Sequence, residues 1–368
     1  MRIVFVALAN APSLQRYAAF AANELAQRHE VHVVTTHHAE RSHFAPLVHH
    51  HPLGTTRTPR LELQTANLFA AHAIVKLIKR LRPDIVHYTC AHPWNLLIAR
   101  LTRRYRQVFT IHDVVPHPGE SVTRVVAWYN RSVFRGLADR VIVHGKAHLK
   151  VLGEQGIDLS RFVDVPLGEV LPPARQEPVP RAKRVLFSGR IVPYKGLEVL
   201  LAAAPAVLEA HPDAVFVIAG SGDLTRYRPL FGKLPLEIHN RFIPEAEMAG
   251  FFYNARLVVL PYTSATQSGV IPLAYAFRRP VVATAVGALP EMVCDGETGL
   301  LVPPGQPAAL ARAIVQLLDD WPRCCRMGEA GYELFLARYT PHVMAQGFEA
   351  VYKEMAGEGH SRARRLMS

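Results

Sequence analysis

Residues 185–196 read VLFSGRIVPYKG, and this stretch decides the fold. An apolar strand, Val185–Phe187, ends in a glycine-containing turn, and Lys195-Gly196 begins a longer helical pattern. A second apolar strand, Val215–Ala219, follows that helix and ends in another glycine-containing turn. Short apolar strands that alternate with amphipathic helices form parallel sheets covered by helices on both faces. The stretch therefore predicts a doubly wound α/β domain.

The same alternation runs along the whole chain with one interruption. Prolines cluster between residues 168 and 182, and no periodic apolar pattern crosses them, which is typical of an interdomain linker. We predict a Rossmann-like domain over 1–167 and another over 183–337, facing each other across a cleft. A final helix is predicted over 341–356, with a loose arginine-containing tail beyond it. Ligands of such sheets bind at the carboxyl ends of the strands.

The composition excludes several classes of protein. The chain has 368 residues, of which 49% are hydrophobic and 20% charged, so the bulk of it is not disordered. No apolar run approaches the roughly 18 residues of a membrane-spanning helix. The apolar start, Ile3–Leu8, is too short for a signal peptide and predicts a buried strand. Four cysteines make no disulfide framework, and reduced thiols are typical of a cytoplasmic protein.

Positive charge is concentrated in the first half of the sequence. The net charge is +12, and residues 1–167 hold 21 basic and 11 acidic residues, a balance of +10, with 15 of the 19 histidines. This asymmetry indicates an anionic partner: nucleic acid, an anionic membrane or a phosphorylated substrate. Nucleic acid has only the charge in its favour, because no motif of a nucleic-acid-binding fold is present, and we predict none as partner. The run His49-His50-His51 is predicted to lie in a solvated loop.

Two strand ends in the second half carry features of phosphate binding. Arg190 and Lys195 bracket the turn that contains Gly189 and leads into the next helix. Glycine allows close backbone approach, helix amino termini bind phosphate through free N–H groups, and Arg and Lys add positive charge. A surface Arg and Lys at an ordinary turn would give the same pattern. A second anion pocket is predicted where Ser268 caps the helix that begins near Val270.

The order of the second-half motifs narrows the possibilities. After the turns at Gly189 and Gly220-Ser221-Gly222 come Gln267-Ser268-Gly269-Val270, then VGALPE at 286–291 and GETGLLV at 296–302. This ordered set resembles the retaining glycosyltransferases of family 4, which have the GT-B architecture of two Rossmann-like domains. The resemblance covers almost the whole chain and is strongest in the second half.

The resemblance implies transfer of a sugar from a UDP- or GDP-linked donor to a glycan or lipid-linked acceptor in polysaccharide or glycolipid assembly. Anomeric configuration would be retained, and no metal ion or other cofactor would be needed. It also implies that Arg190 and Lys195 hold the diphosphate, that His112 at a first-half strand end faces the donor sugar, and that the final helix packs back on the first domain. Arg190, Lys195 and His112 are therefore the predicted catalytic residues. The predicted donor-binding residues are Gly189, Gly220, Gly222, Gln267, Ser268, Gly269 and Val270.

The acceptor side is predicted from the first half. Asp113 follows the sugar-facing histidine and would orient its ring or bind an acceptor hydroxyl. His117 and Glu120 lie in the loop after it, whose prolines and glycine are equally compatible with a plain structural loop. Asn10 and Ser13, in the first strand–helix loop, have side chains that can hydrogen-bond a sugar.

Two departures from the family pattern keep a second hypothesis open. The family commonly has two glutamates in an E-x7-E motif, where this sequence has Ala265 and Leu273 or, in another register, Gln267 and Tyr275. In the family the first glutamate contacts the donor sugar and the second the nucleotide ribose. The first strand–helix loop also lacks the Gly-Gly pair of many members. A catalytically silent protein that binds nucleotide sugar or a partner enzyme is therefore the alternative, and the retained cationic and histidine residues oppose it.

One predicted helix of the first half carries a basic face. Arg124, Trp128, Arg131 and Arg135 recur at helical spacing and share that face. Guanidinium groups and an indole suit an anionic membrane surface. We therefore predict a cytoplasmic protein attached peripherally to the inner leaflet, where a lipid-linked acceptor is presented. A solvated face on which the indole stacks against an arginine is the alternative.

Overall fold

The structure is a computed structural model that describes residues 1–9, 11–54, 68–114, 123–168, 177–265 and 267–366. These residues form two compact units. The first contains the described residues up to Gly168 together with those from Pro341 onward, and the second contains those from 177 to Thr340. Each unit is built on one parallel sheet, which confirms the predicted doubly wound α/β class.

The first unit has seven parallel strands in the order β3-β2-β1-β4-β5-β6-β7. Its central strands are short and apolar because helices cover both faces of the sheet. In chain order, strands β1 to β7 are Arg2–Ala7, Glu30–Thr36, His49–Gly54, Ile85–Tyr88, Arg106–Thr110, Arg140–Val143 and Phe162–Asp164. Helices α1 to α5 are Pro12–Leu25, Leu68–Leu81, Pro93–Leu101, Thr123–Ser132 and Lys146–Glu154.

The second unit has six parallel strands in the order β10-β9-β8-β11-β12-β13. Strands β8 to β13 are Arg184–Ser188, Val215–Ala219, Leu236–His239, Leu257–Leu260, Val281–Thr284 and Gly299–Val302. Helices α6 to α11 are Leu197–Ala210, Glu245–Asn254, Val270–Ala276, Leu289–Met292, Pro307–Asp319 and Trp321–Arg338.

The last helix, α12 (Pro341–Leu366), belongs to the first unit although it follows the second unit in the sequence. Its Met344, Phe348 and Tyr352 are fully buried in one apolar cluster with Ala18 of α1. This helix therefore covers the same face of the first sheet as α1.

The predicted end of this helix at residue 356 is wrong. The helix continues through Gly357 and ends at Leu366, so the predicted loose tail is helical up to that residue. Gly357 and Gly359 each cost a helix only about 1 kcal/mol relative to alanine, and the Glu, Ala and Arg residues around them favour helix. None of the helices in the described part of the chain is long and apolar enough to cross a membrane.

The run His49-His50-His51 lies in strand β3 and not in the predicted loop. β3 is an edge strand that pairs with β2, so an apolar alternation is not required of it. Ring packing holds it instead: His32 of β2 stacks on His49 with 4.6 Å between ring centroids, and its Nδ1 lies 3.0 Å from Nε2 of His51. The Thr35 hydroxyl hydrogen-bonds Nε2 of His50 over 2.7 Å.

Candidate active site

The strand order of the second unit changes direction beside β8. The chain runs from β8 outward to β9 and β10 and then returns to β11 on the other side of β8. Doubly wound sheets bind ligands at the carboxyl ends of the strands beside such a point. The loops that follow β8 and β11 touch there, because the N–H of Thr263 donates to the carbonyl of Tyr194 over 2.8 Å. The predicted phosphate residues lie on these two loops.

Lys195 is held by an aromatic residue of the neighbouring loop. Its Nζ donates a hydrogen bond of 2.9 Å to the hydroxyl of Tyr262 and lies 4.8 Å from the centroid of that ring. The same hydroxyl is 3.4 Å from Oγ of Ser268, which accepts from the N–H of Val270 over 3.2 Å. The structure therefore brings the predicted cation and the start of α8 together. The residue that directly precedes α8 is Gly269 and not the predicted Ser268, whose hydroxyl nevertheless reaches the first helical N–H.

Arg190 lies on the same loop as Lys195. Its side chain is exposed, and Nη2 donates to the hydroxyl of Tyr194 over 3.2 Å. Gly189 is beside both groups: a Cβ built on it would lie 2.9 Å from Nζ of Lys195 and 3.8 Å from Cγ2 of Val270. Two cations and the start of α8 thus flank one glycine, an arrangement suited to an anion such as a diphosphate.

The glycines after β9 serve the packing of the loops. Gly220 has φ +153, and a Cβ on it would come within 1.9 Å of the carbonyl oxygen of Gly189. A Cβ on Gly222 would overlap the carbonyl of Ile191 in the same way. The N–H of Gly220 bonds to the carbonyl of His239. These glycines are therefore required by backbone contact between two loops, and donor binding by them remains a prediction.

Gln267 occupies the first glutamate position of the E-x7-E motif in the second of the two registers considered above. Its Oε1 is buried and has no hydrogen-bond partner within the described part of the chain. Buried polar atoms are normally satisfied, so this oxygen is available to a hydroxyl donor, whether of a sugar or of water. Tyr275, the other residue of that register, is fully buried and its hydroxyl bonds to Thr298 over 2.7 Å and to the carbonyl of Met292. Tyr275 is therefore structural, whereas Gln267 keeps an open acceptor.

Replacing Gln267 with leucine is expected to leave the melting temperature of the free protein unchanged or higher, because leucine removes an unsatisfied buried oxygen at similar volume. The thermal shift caused by a nucleotide sugar should shrink, and that caused by the nucleotide diphosphate alone should not. Gln316→Leu, at an exposed position of α10, is the matched control. A lower melting temperature of free Gln267→Leu, with an unchanged response to nucleotide sugar, would make this residue purely structural.

The first unit places His112 directly beyond β5, at the carboxyl edge of its sheet. Nε2 donates to the carbonyl of Thr89, beyond the neighbouring strand β4, over 2.9 Å. Burial lowers the pKa of the ring below its usual value, against the opposing effects of that carbonyl and of Asp113. The ring is therefore neutral near pH 7, with its proton on Nε2 and a lone pair on Nδ1 for a hydroxyl donor.

The other predicted acceptor residues have mixed positions. Ser13 is exposed in the first turn of α1, and Asp113 is half-buried with its backbone carbonyl bonded by Nδ2 of Asn130. Asn10, His117 and Glu120 lie outside the described residues. No group of three His, Cys, Asp or Glu side chains placed to hold a metal ion occurs among the residues that the structure covers.

The predicted basic face lies on α4 only in part, because its last arginine is beyond the end of that helix. Trp128 is 53% exposed on α4, and Arg131 is exposed beside it. Beyond Ser132 the backbone forms a π-turn, Val133–Leu137, that contains a glycine with positive φ. Because a π-turn holds more residues per turn, the assumed helical spacing does not extend to Arg135, although that side chain is exposed. Arg124 lies in the first turn of this helix, and its side chain is not among those described.

Three residues near the predicted site were missed in the sequence. Tyr262 contacts Lys195, while Tyr17 and His144 pack around His112. Tyr262 follows β11 and His144 follows β6, so a search of all strand ends would have found both. Tyr17 is an ordinary apolar-face residue of α1 in the sequence, and no local signal distinguishes it.

Family models match residues of both units. A family model described as Glycosyltransferase Family 4 matches residues 14–168, and one described as Glycosyl transferases group 1 matches residues 182–320. The chain belongs to glycosyltransferase family 4. This membership confirms the resemblance inferred from the motifs.

Two curated relatives of this family-4 chain have inositol in their names. The D-inositol 3-phosphate glycosyltransferase of Corynebacterium diphtheriae is 36% identical in an alignment 184 residues long that covers 47% of this chain and 43% of the relative. The phosphatidyl-myo-inositol mannosyltransferase of Mycobacterium tuberculosis is 33% identical in an alignment 221 residues long that covers 57% of each chain. The chain thus spans about half the length of the curated relatives it matches.

Solved structures share the fold of this family-4 chain. Sucrose-phosphate synthase from Thermosynechococcus elongatus has a TM-score of 0.77 at 20% identity, covering 97% of this chain and 100% of its own. HepE of Anabaena, solved with UDP and glucose, has a TM-score of 0.75 at 18% identity, covering 96% and 99%. Both support the GT-B architecture.

Proposed function

We propose that this protein is a retaining glycosyltransferase that takes a sugar from a nucleotide diphosphate sugar. The observation that carries the proposal is the position of Lys195 and Arg190 around Gly189, at the carboxyl ends of the strands of the second unit. As the bond between the sugar and the diphosphate breaks, negative charge grows on the leaving phosphate. Fixed cations there stabilise that charge without a metal ion.

We propose that His112 contacts the donor sugar. The neutral ring donates its Nε2 proton to the Thr89 carbonyl, which leaves Nδ1 as an acceptor for a hydroxyl of the donor sugar. Gln267 in the second unit would accept from another sugar hydroxyl. Both contacts orient the donor and neither adds charge, so the diphosphate cations supply the main electrostatic stabilisation.

We further propose an acceptor that contains an inositol phosphate, free or within phosphatidylinositol. The support is the names of the two curated relatives, both of which specify such an acceptor. The basic balance of the first half fits a phosphorylated acceptor or the anionic lipid surface that holds it.

A donor panel tests the function. UDP, GDP, UDP-glucose, UDP-N-acetylglucosamine and GDP-mannose should be compared by thermal shift, because a ligand that binds only the folded state raises its melting temperature. The best donor is then incubated with inositol phosphate or phosphatidylinositol vesicles, with and without EDTA. Product of retained configuration in EDTA is expected. Binding without turnover would favour a catalytically silent protein, and binding of no nucleotide would contradict both.

We propose that the helix layer α2, α3 and α4 attaches the enzyme to an anionic leaflet. These neighbouring helices contain no acidic residue, and α3 contacts both of the others. Large apolar side chains are exposed on them: Phe69 is 88% exposed, Leu101 46% and Trp128 53%. The same helices and the π-turn after α4 carry exposed cations, namely Lys76, Lys79, Arg80, Arg100, Arg131 and Arg135. Apolar anchors among basic residues are typical of interfacial attachment.

Replacing Arg124, Arg131 and Arg135 with glutamine is expected to release most of the protein from phosphatidylserine vesicles, because each basic residue contributes about 1 kcal/mol near an anionic surface. Co-sedimentation at low salt measures this. The matched control replaces three exposed arginines of the second unit, Arg228, Arg312 and Arg326, with glutamine. An equal loss of vesicle binding in both variants would show that binding depends only on net charge. No binding by the unmodified protein would refute the attachment.

A further inference from the structure

A buried row of polar side chains in the first unit has no part in the function proposed above. It begins on α12, crosses the carboxyl ends of β4 and β5, and ends beyond β7. All its members are at least 95% buried. The consecutive distances are Tyr352 Oη to His87 Nδ1 2.6 Å, His87 Nε2 to Thr110 Oγ1 2.8 Å, Thr110 Oγ1 to Tyr17 Oη 3.3 Å, Tyr17 Oη to His144 Nε2 2.9 Å, and His144 Nδ1 to the carbonyl of Val165 2.7 Å.

The carbonyl at one end fixes the direction of every hydrogen bond. A carbonyl only accepts, so Nδ1 of His144 carries a proton. Burial lowers the pKa of His144 and of His87 to about 3, and both rings are neutral at physiological pH. Nε2 of His144 must then accept from Tyr17, whose oxygen accepts from Thr110. The Thr110 oxygen accepts from Nε2 of His87, and Nδ1 of His87 accepts from the Tyr352 hydroxyl.

The row is one continuous chain in which each hydroxyl donates once. Removal of any one hydroxyl leaves an acceptor without its donor in a buried place, where bulk solvent does not replace the lost bond. Without the Tyr352 hydroxyl, Nδ1 of His87 has no donor, and without the Thr110 hydroxyl the oxygen of Tyr17 has none, so the side chains themselves must shift to regain a partner. The arrangement of the side chains at one end is therefore tied to that at the other.

The members nearest the carbonyl end form the walls around His112. The edge of the Tyr17 ring meets the His112 ring at 4.8 Å between centroids and an angle of 78°. The His144 ring lies 5.4 Å from that of His112. With Nε2 of His112 bonded to Thr89, these two rings limit how the imidazole can tilt about that bond.

We propose that Tyr352, Thr110 and Tyr17 are positioning residues for His112, so that α12 takes part in setting the orientation of the histidine that faces the donor sugar. The catalytic consequence rests on the proposed function, whereas the positioning of the ring is a property of the first unit alone. Tyr352 lies on the last helix and belongs to the same chain of hydrogen bonds as Tyr17 and His144, whose rings contact the His112 ring.

Histidine-ring NMR of the full chain labelled with 15N tests the positioning without any substrate. His112→Gln identifies the His112 signals, which should be those of a single neutral ring protonated on Nε2. Tyr352→Phe and Thr110→Val remove a hydroxyl at nearly constant shape. We expect both to shift the His112 ring signals or to split them into two sets. Tyr129→Phe removes another buried hydroxyl of the first unit, one that accepts from Nδ2 of Asn95 and lies outside the row, and it should leave the signals in place.

Kinetics with the best donor of the panel supply the second measurement. Tyr352→Phe and Thr110→Val should lower kcat about tenfold or more while KM for the nucleotide sugar stays within about twofold, because misplacement of a reacting group affects the chemical step. Unchanged His112 signals in both variants, or an equal change in Tyr129→Phe, would overturn the inference. If the wild type turns over no nucleotide sugar but the signals move as expected, the proposed function fails and the positioning stands.

Discussion

Replacing Lys195 with alanine is expected to lower kcat/KM for the nucleotide sugar by about 100- to 1,000-fold, since a preorganised group at a developing charge contributes about 2.7–4 kcal/mol. The ammonium is fixed by the Tyr262 hydroxyl and ring, so it needs no rearrangement when charge develops on the leaving phosphate. Arg190→Ala should act in the same direction. Steady-state kinetics and nucleotide-diphosphate titration measure both effects.

Lys183→Ala is the matched control for these variants. Lys183 precedes β8 at the amino edge of the same sheet and pairs with Asp213 over 2.8 Å. It lies far along the strand from the carboxyl edge, and its loss should change kcat/KM by less than about twofold. Unchanged kinetics in both Lys195→Ala and Arg190→Ala would remove the diphosphate site from this loop.

Replacing Arg279 with methionine is expected to destabilise the second unit by about 3–5 kcal/mol, because several buried carbonyls lose a charged donor at once. Arg279 is fully buried, and desolvation lowers its pKa to about 10, so it stays charged at neutral pH. Nε donates to the carbonyl of Phe252 over 2.8 Å, and the Nη atoms donate to those of Glu177, Pro178 and Tyr253.

Urea unfolding and hydrogen exchange report this loss. Exchange over residues 177–180 should accelerate most, since Arg279, between α8 and β12, links that segment to α7. Arg312→Met, on the exposed face of α10, is the matched control and should stay within about 0.5 kcal/mol of the unmodified protein. Equal unfolding midpoints for the two variants would contradict the role of Arg279.

The sequence was sufficient for the elements whose apolar pattern reflects burial. Strand β9 was predicted with the bounds that the structure gives, Val215–Ala219, because buried parallel strands are short apolar runs between turn residues. Edge strand β3 was missed since its histidines are polar and its stability comes from cross-strand ring contacts. Its partner, His32, lies on a different strand, and no local pattern links the two.

The site was predictable only where a side chain's place follows from a strand end. His112 follows the end of β5 and Lys195 lies in the loop between β8 and α6, as predicted. Tyr262 stands at one too, but nothing in the sequence pairs its hydroxyl with Lys195. The role of Arg279 was not predictable, because a buried arginine that satisfies distant carbonyls looks like any charged residue between a helix and a strand.

The place of α12 has a consequence for synthesis of the protein. Phe348 and Tyr352 complete the apolar face that begins with Ala18, yet the whole of residues 169–340 is translated between Gly168 and Pro341. The first unit therefore leaves the ribosome with one face of its sheet covered by α1 but not by α12, and this cover is completed only after the second unit has emerged. A fragment ending at Gly168 lacks that cover, and the first unit produced by itself needs residues 341–366 joined back to it.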